Sequence, residues 1–141
     1  DPNGLAMPNG AQISLAQMRT NRNALTTRLR YSSTGGYQLY VRYVDDNGVW
    51  RSTALVPISD GEHSIEVLVE YATSATASDG QISCWVDGVL RDRDSGLDMY
   101  DLYKRPHQLR MGAPWVSSAS INGTLYLDEY VLRADDLEIG P

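Results

Sequence analysis

The sequence predicts an all-β fold, an antiparallel β-sandwich, and three observations carry that expectation. Apolar residues recur with a period of two over short runs, as they do when one face of a strand is buried. Turn pairs punctuate the runs, at Asn47-Gly48 and Asp87-Gly88, and both favour tight hairpins. No apolar stripe of useful length repeats at helical spacing. Strands at this spacing without helices pack as layered antiparallel sheets.

Residues 1–10, DPNGLAMPNG, are turn material and read as a loop-like lead-in. In NALTTRLRYSS, Leu25, Thr27, Leu29 and Tyr31 alternate with Thr26, Arg28 and Arg30. In GYQLYVRYV, Tyr37, Leu39, Val41 and Tyr43 alternate with Gln38, Tyr40 and Arg42. Asn47-Gly48 then predicts a primed hairpin, because both residues tolerate positive φ. VWRSTALVPI returns as its partner, with Pro57 marking its end or an edge. HSIEVLVEY places Ile65, Val67, Val69 and Tyr71 on one face, and the small polar segment ATSATASDG follows as a linker. QISCWVDGVLRDRD is the sharpest local signal, two β-rich runs about Asp87-Gly88. LRMGA and GTLYLDEYVL are expected to supply two more strands.

At 141 residues and 42% apolar content the chain is long enough for one domain, residues 1–141, with a real core. The net charge is −6, and its scattered basic residues, eleven Arg and Lys104, form no block. Nucleic acid is therefore not an expected partner, since phosphate binding relies on clustered positive charge. No apolar run approaches the ~20 residues that span a bilayer as a helix, so no membrane insertion is expected. Cys84 is the sole cysteine, which excludes an internal disulfide and a Cys-rich zinc site. With only His63 and His107 besides, metal chemistry would lean on oxygen ligands and suit calcium.

Four motifs stand in order: GEHSIEVLV, ISCWVDGVL, LRMGA and GTLYLDEYVL. Their succession resembles the laminin-G-like, concanavalin A-like jelly rolls of bacterial and phage secreted or surface proteins, over roughly residues 11 to 139. The resemblance implies a module of a larger extracellular, cell-surface or virion-surface protein. Family strands are then expected ahead of residue 1, the alternative being a smaller jelly roll; without them the sheets would expose unpaired edges or be completed by a neighbouring chain. The fold itself carries lectins, glycosidases and structural modules alike. In sugar-binding members a closing-strand Asp ligates a structural calcium, and Asp128 matches that position; one carboxylate cannot supply the six to eight oxygens such an ion takes. The other reading of Asp128 is a hydrogen-bonded role near a sheet end, with Glu129 an edge charge.

Glycosidases of this fold carry a row of carboxylates on one strand, two of which flank the glycosidic bond. Here Glu66, Leu68 and Glu70 share a face, and Leu68 occupies the central position, which disfavours catalysis. No G-x-S-x-G elbow occurs, so His63 reads as a strand-start residue donating to a backbone carbonyl. Cys84 alternates with Ile82 and Val86 and is expected to point inward; Trp85, on the opposite face, either packs across the sheet or against a loop, or is a candidate for stacking on a ligand. Arg28, Arg30, Gln38, Tyr40, Arg42, Glu66 and Glu70 all fall on polar registers; together they would make a sugar-binding groove, and the plainer reading is a solvated sheet face, which is polar whatever its role. The expectation is a non-catalytic module that binds carbohydrate or a cell-surface protein. The alternative is a structural packing or decoration module without a small ligand. An open groove with Tyr40 exposed favours binding, whereas a face covered by a neighbouring chain favours assembly.

Overall fold

A computed structural model of the chain describes residues 1–103 and 106–133. Among these residues there is no helix, and the strands are β1 (Gln12–Arg19), β2 (Asn23–Ser32), β3 (Gly36–Val44), β4 (Trp50–Ser52), β5 (Val56–Ile58), β6 (Ile65–Glu70), β7 (Gly80–Val86), β8 (Val89–Leu97) and β9 (Gln108–Met111). They form two antiparallel sheets. The larger has the order β4-β3-β2-β1-β9, with β5 also paired to β3, and the smaller has the order β6-β7-β8.

The alternation read from the sequence places the core. On the large sheet Ile13, Leu15, Leu25, Leu29, Leu39, Val41 and Tyr43 are buried, and on the small sheet Ile82, Cys84, Val86 and Leu97 join the same apolar cluster. Both sheets therefore turn their inner faces to one core, as in a β-sandwich. One tyrosine ties the layers together, and another anchors the segment after β8 to the large sheet. Tyr43 of β3 donates to Asp94 Oδ2 of β8 at 2.6 Å. Tyr103 donates to the Ala24 carbonyl at 2.7 Å and accepts from the Val44 amide at 3.2 Å. Burial, first of all, raises the ionisation range of both phenols.

Cys84 lies wholly inside, as its alternation predicts, and burial pushes its thiol up to about 11. The Asp87-Gly88 hairpin also forms, with both residues at positive φ, 55° and 69°. The turn at Asn47-Gly48 departs from the primed form. Only Gly48 has positive φ, at 81°. Its amide donates to the Asp45 carbonyl at 2.9 Å, and the Asp45 amide donates to the Val49 carbonyl at 3.1 Å. That is a three-residue loop with a glycine bulge. The reason is side-chain competition for the backbone. Asp45 Oδ1 accepts the Val49 amide at 2.8 Å. Asp46 accepts three amides, from Tyr100, Asp101 and Leu102, at 2.6–2.8 Å.

VWRSTALVPI is two strands rather than one. Thr53 interrupts it by offering its Oγ1 to the Val41 amide at 2.9 Å, so β4 pairs with one end of β3 and β5 with the other. Strand β1 was not apparent in the sequence pattern, because a register shift between Ser14 and Ala16 breaks its alternation. GTLYLDEYVL is not a strand. Its backbone neighbours are the lead-in residues: Ala6 and Asn122 exchange two bonds, and so do Asp1 and Tyr126. That lead-in contains Pro2 and Pro8, which lack the amide a ladder needs. Glu129 then leaves extended geometry altogether, at φ 48°.

Candidate functional site

The outer face of the large sheet holds a polar cleft of about 320 Å³, lined by Gln12, Arg28, Tyr40, Arg42, Trp50, Arg51 and Ser52. Strand register builds it. Arg28 of β2 lies opposite Tyr40 of β3, and Arg42 of β3 lies between Thr26 of β2 and Ser52 of β4. Because side chains alternate, Arg28, Tyr40 and Arg42 emerge on the face away from Leu29, Leu39 and Val41.

Two tryptophans fix the arginines. The Arg42 guanidinium sits 4.4 Å from the centre of the Trp50 ring, and the Arg28 guanidinium sits 4.4 Å from that of Trp115. Trp50 comes from edge strand β4. Trp115 arrives from the opposite side, where the Ser14 amide donates to its carbonyl at 2.9 Å. Such contacts are worth roughly 0.5–2 kcal/mol and hold a guanidinium plane in place. At the floor, Gln12 Oε1 accepts from Tyr40 Oη at 2.7 Å and from Arg28 Nη1 at 3.0 Å. Arg51 pairs with Asp45 at 3.2 Å while its side chain stays 53% exposed. Arg30 and Gln38 face each other across the same strands. The buried Arg28 Nε, Arg30 Nε and Gln38 Oε1 have no hydrogen-bond partner among the described residues.

The groove expected from the sequence is thus divided. Arg28, Arg30, Gln38, Tyr40 and Arg42 share the large sheet. Glu66 and Glu70 stand on β6 of the small sheet, where they pair with Trp85 and Gln81. Their alternation away from the core is as expected, but the core separates them from the arginines. Glu70 is engaged by Gln81 Nε2. Of its two readings, Trp85 takes packing and not stacking. It is 5% exposed, which leaves too little of the ring for a ligand to stack on; β7 is the central strand of its sheet and is buried on both faces. Tyr40, at 8% exposure, is likewise a wall rather than a platform. The open rings on this face are Trp50, at 41%, which lines the cleft, and Trp115, at 40%.

Asp128 lies outside any strand, exposed, with its Oδ1 accepting the Glu129 amide at 2.8 Å. Among the described residues, no group of three or more His, Cys, Asp or Glu side chains is placed to hold a metal ion.

His63 is more elaborately held than the sequence suggests. Its Nε2 receives the Ser59 amide at 3.1 Å and lies 2.8 Å from Ser59 Oγ. The accepting Nε2 leaves Nδ1 protonated, and Nδ1 donates to Asp87 Oδ2 at 2.7 Å rather than to a backbone carbonyl. This bond, before any other influence, holds the Asp87 carboxyl below the usual carboxylate range. The connectivity is that of a Ser-His-Asp triad. Its chemistry is compromised, however: the Ser59 amide competes for the Nε2 lone pair, and Ser59 Oγ accepts the Gly61 amide at 3.2 Å. The arrangement pins the loop before β6 to the β7–β8 turn, where the Ser64 amide also donates to Asp87 Oδ1 at 3.0 Å.

Gln12, Trp50, Arg51, Ser52 and Trp115 were not singled out from sequence. Trp50 and Trp115 lie at the sheet's margins, and only the long-range pairing brings them beside arginines. A comparison with protein-family models, curated proteins and solved structures finds no match to this chain.

Proposed function

We propose that this chain is a non-catalytic carbohydrate-binding module and that the sugar lies in the cleft between Trp50 and Arg28. The observation that carries the reading is the pairing of an exposed indole with fixed donors. Trp50 offers an apolar face to a pyranose ring, and Arg28, Arg42, Gln12 and Ser52 surround it with hydrogen-bonding groups. Among the described residues no carboxylate lines the cleft, whereas glycoside hydrolysis calls for two flanking the scissile bond. The acid row stands on the other sheet, interrupted by Leu68. The resemblance to laminin-G-like domains agrees with an extracellular module of a larger protein, and the reading makes no use of calcium.

A structural packing module is the second reading, and one feature favours it. Strands β6 and β8 each pair only with β7 among the described residues, and Val89 and Leu90 on β8 are exposed. An added strand from a neighbouring chain would suit such edges. A glycan array on the purified chain, run with calcium and again with a chelator, separates the two. Binding in both conditions, lost in an Arg42→Gln variant that stays folded, supports the sugar cleft. Silence from a folded sample sinks it in favour of the packing module. Binding that vanishes with the chelator would instead restore a calcium site.

A further inference from the structure

We infer that the ligand of this cleft is anionic, a glycan bearing a carboxylate or sulfate group that is gripped between Arg28 and Arg42. The inference rests on the sugar-binding reading and narrows it to a chemical class.

Three observations converge. The first is charge. Among the described residues, seven line the cleft, of which three are arginines and none is acidic, although the chain as a whole carries −6. Arginine stays protonated at any ordinary pH, so the cleft is a concentrated positive spot on an acidic protein. Arg51 has Asp45 as counter-ion; among the described residues, Arg28 and Arg42 make no ion pair with a carboxylate.

The second is the balance of donors and acceptors. A neutral sugar presents hydroxyls that donate as well as accept, so its site needs acceptors. The side-chain carbonyl in the cleft, Gln12 Oε1, is already taken by Tyr40 Oη and Arg28 Nη1. Beside it the arginine side chains of the lining offer donors and no acceptor. Donors are therefore in excess, which suits an oxyanion better than a hydroxyl.

The third is preorganisation. Each of these two guanidiniums is stacked on an indole at 4.4 Å, so its plane is held with little conformational freedom left to lose. Bidentate recognition of a carboxylate or sulfate needs this kind of planar, immobilised fork.

Calorimetry on the intact chain tests the inference with four probes: oligogalacturonate, its fully methyl-esterified counterpart, a carrageenan oligosaccharide as a sulfated glycan without carboxylates, and inorganic sulfate. The expected result is at least tenfold tighter binding of oligogalacturonate or the sulfated fragment than of the neutral ester. The gap should narrow as salt rises from 50 to 500 mM and close in Arg28→Gln, while Arg110→Gln on strand β9 retains it. Preference for the uronate or for the sulfated fragment tells which anion is meant, and either supports the inference. Equal binding of acid and ester on the wild-type chain overturns the anionic grip and leaves the sugar reading standing. Binding of sulfate with no response to any glycan keeps the anion and removes the sugar. No heat with any probe, from folded protein, removes both.

Discussion

The outer faces of the two sheets look alike in sequence and differ in construction. Both alternate polar with apolar residues, and both carry a tryptophan among charged neighbours. On the large sheet the tryptophans stand at the margins, 40–41% exposed, each stacked on an arginine. On the small sheet Trp85 sits on the central strand, 5% exposed, opposite Glu66 and Leu90. The difference is one of position in the sheet. A ring on a central strand is walled in by two neighbours and becomes packing, whereas a ring on a margin keeps a free side and orients what lies beside it. Polarity of a face does not by itself make a site; what matters is which groups are left open and which are held still.

That contrast predicts opposite phenotypes for two equivalent substitutions. Trp85→Ala should cost about 3–5 kcal/mol, the usual penalty for emptying a buried indole. Urea denaturation measures it, and the surviving folded fraction should bind glycan as the parent does. A loss below about 1 kcal/mol would mean that Trp85 is not packed as described. A second test weakens the join between the layers. Tyr43→Phe removes the bond to Asp94 across the sandwich and should cost about 1.5–3 kcal/mol, as for hydrogen bonds to charged groups. It also changes the alkaline limb. The folded-state phenol titrates above its ordinary value of 10.0, so its contribution is fully present below pH 10 and is lost as pH rises through the raised value. Stability of the parent should therefore fall more steeply above pH 10 than that of Tyr43→Phe; parallel curves would contradict the bond.

Much of this could be read locally, and the remainder depends on pairing between distant strands. GYQLYVRYV became β3 with its inner and outer residues as the alternation implies, and Asp87-Gly88 made its hairpin because the turn needs only its own residues. Alternation says that Arg28 and Glu66 both point away from a core. It does not say which sheet each belongs to, and that is decided by pairings such as Arg28 with Tyr40 and Glu66 with Trp85. The same limit explains the closing segment. Leu125 and Leu127 alternate like strand residues, but a strand exists only with a regular partner, and the partner here is a lead-in interrupted by prolines. Trp50 and Trp115 escaped notice because stacking on arginine is a relation across the sheet's margins.

Trp50→Ala is the counterpart of Trp85→Ala. It should weaken binding of an acidic glycan about tenfold, equivalent to about 1.4 kcal/mol, by removing both the stacking surface and the brace of Arg42. Its thermal stability should change little, since an exposed cation–π contact is worth about 0.5–1 kcal/mol. Glu66→Gln and Glu70→Gln, on the opposite face, should leave the affinity within twofold. A larger effect from either glutamate would mean that the ligand reaches the small sheet and that the two faces are not separate sites.

The smallest expected effect concerns the loop that flanks the small sheet. Asp87 is exposed, yet the bond from His63 Nδ1 lowers its range below the ordinary 3.8. A depressed carboxyl contributes stability that is present above its unfolded value and is lost as pH falls through the folded one. The parent chain should therefore lose stability below about pH 4 by an amount that Asp87→Asn does not show, the two being compared by urea midpoint at each pH. Asp79 is lowered too, through its bonds to Thr73, and it titrates in both proteins, so only the difference between the curves reports on Asp87. Glycan affinity at neutral pH should be the same in the two, because the bracket lies on the small-sheet side and the cleft does not include it. A loss of affinity in Asp87→Asn, with the fold intact, would join the loop to the binding face and break the division on which the rest depends.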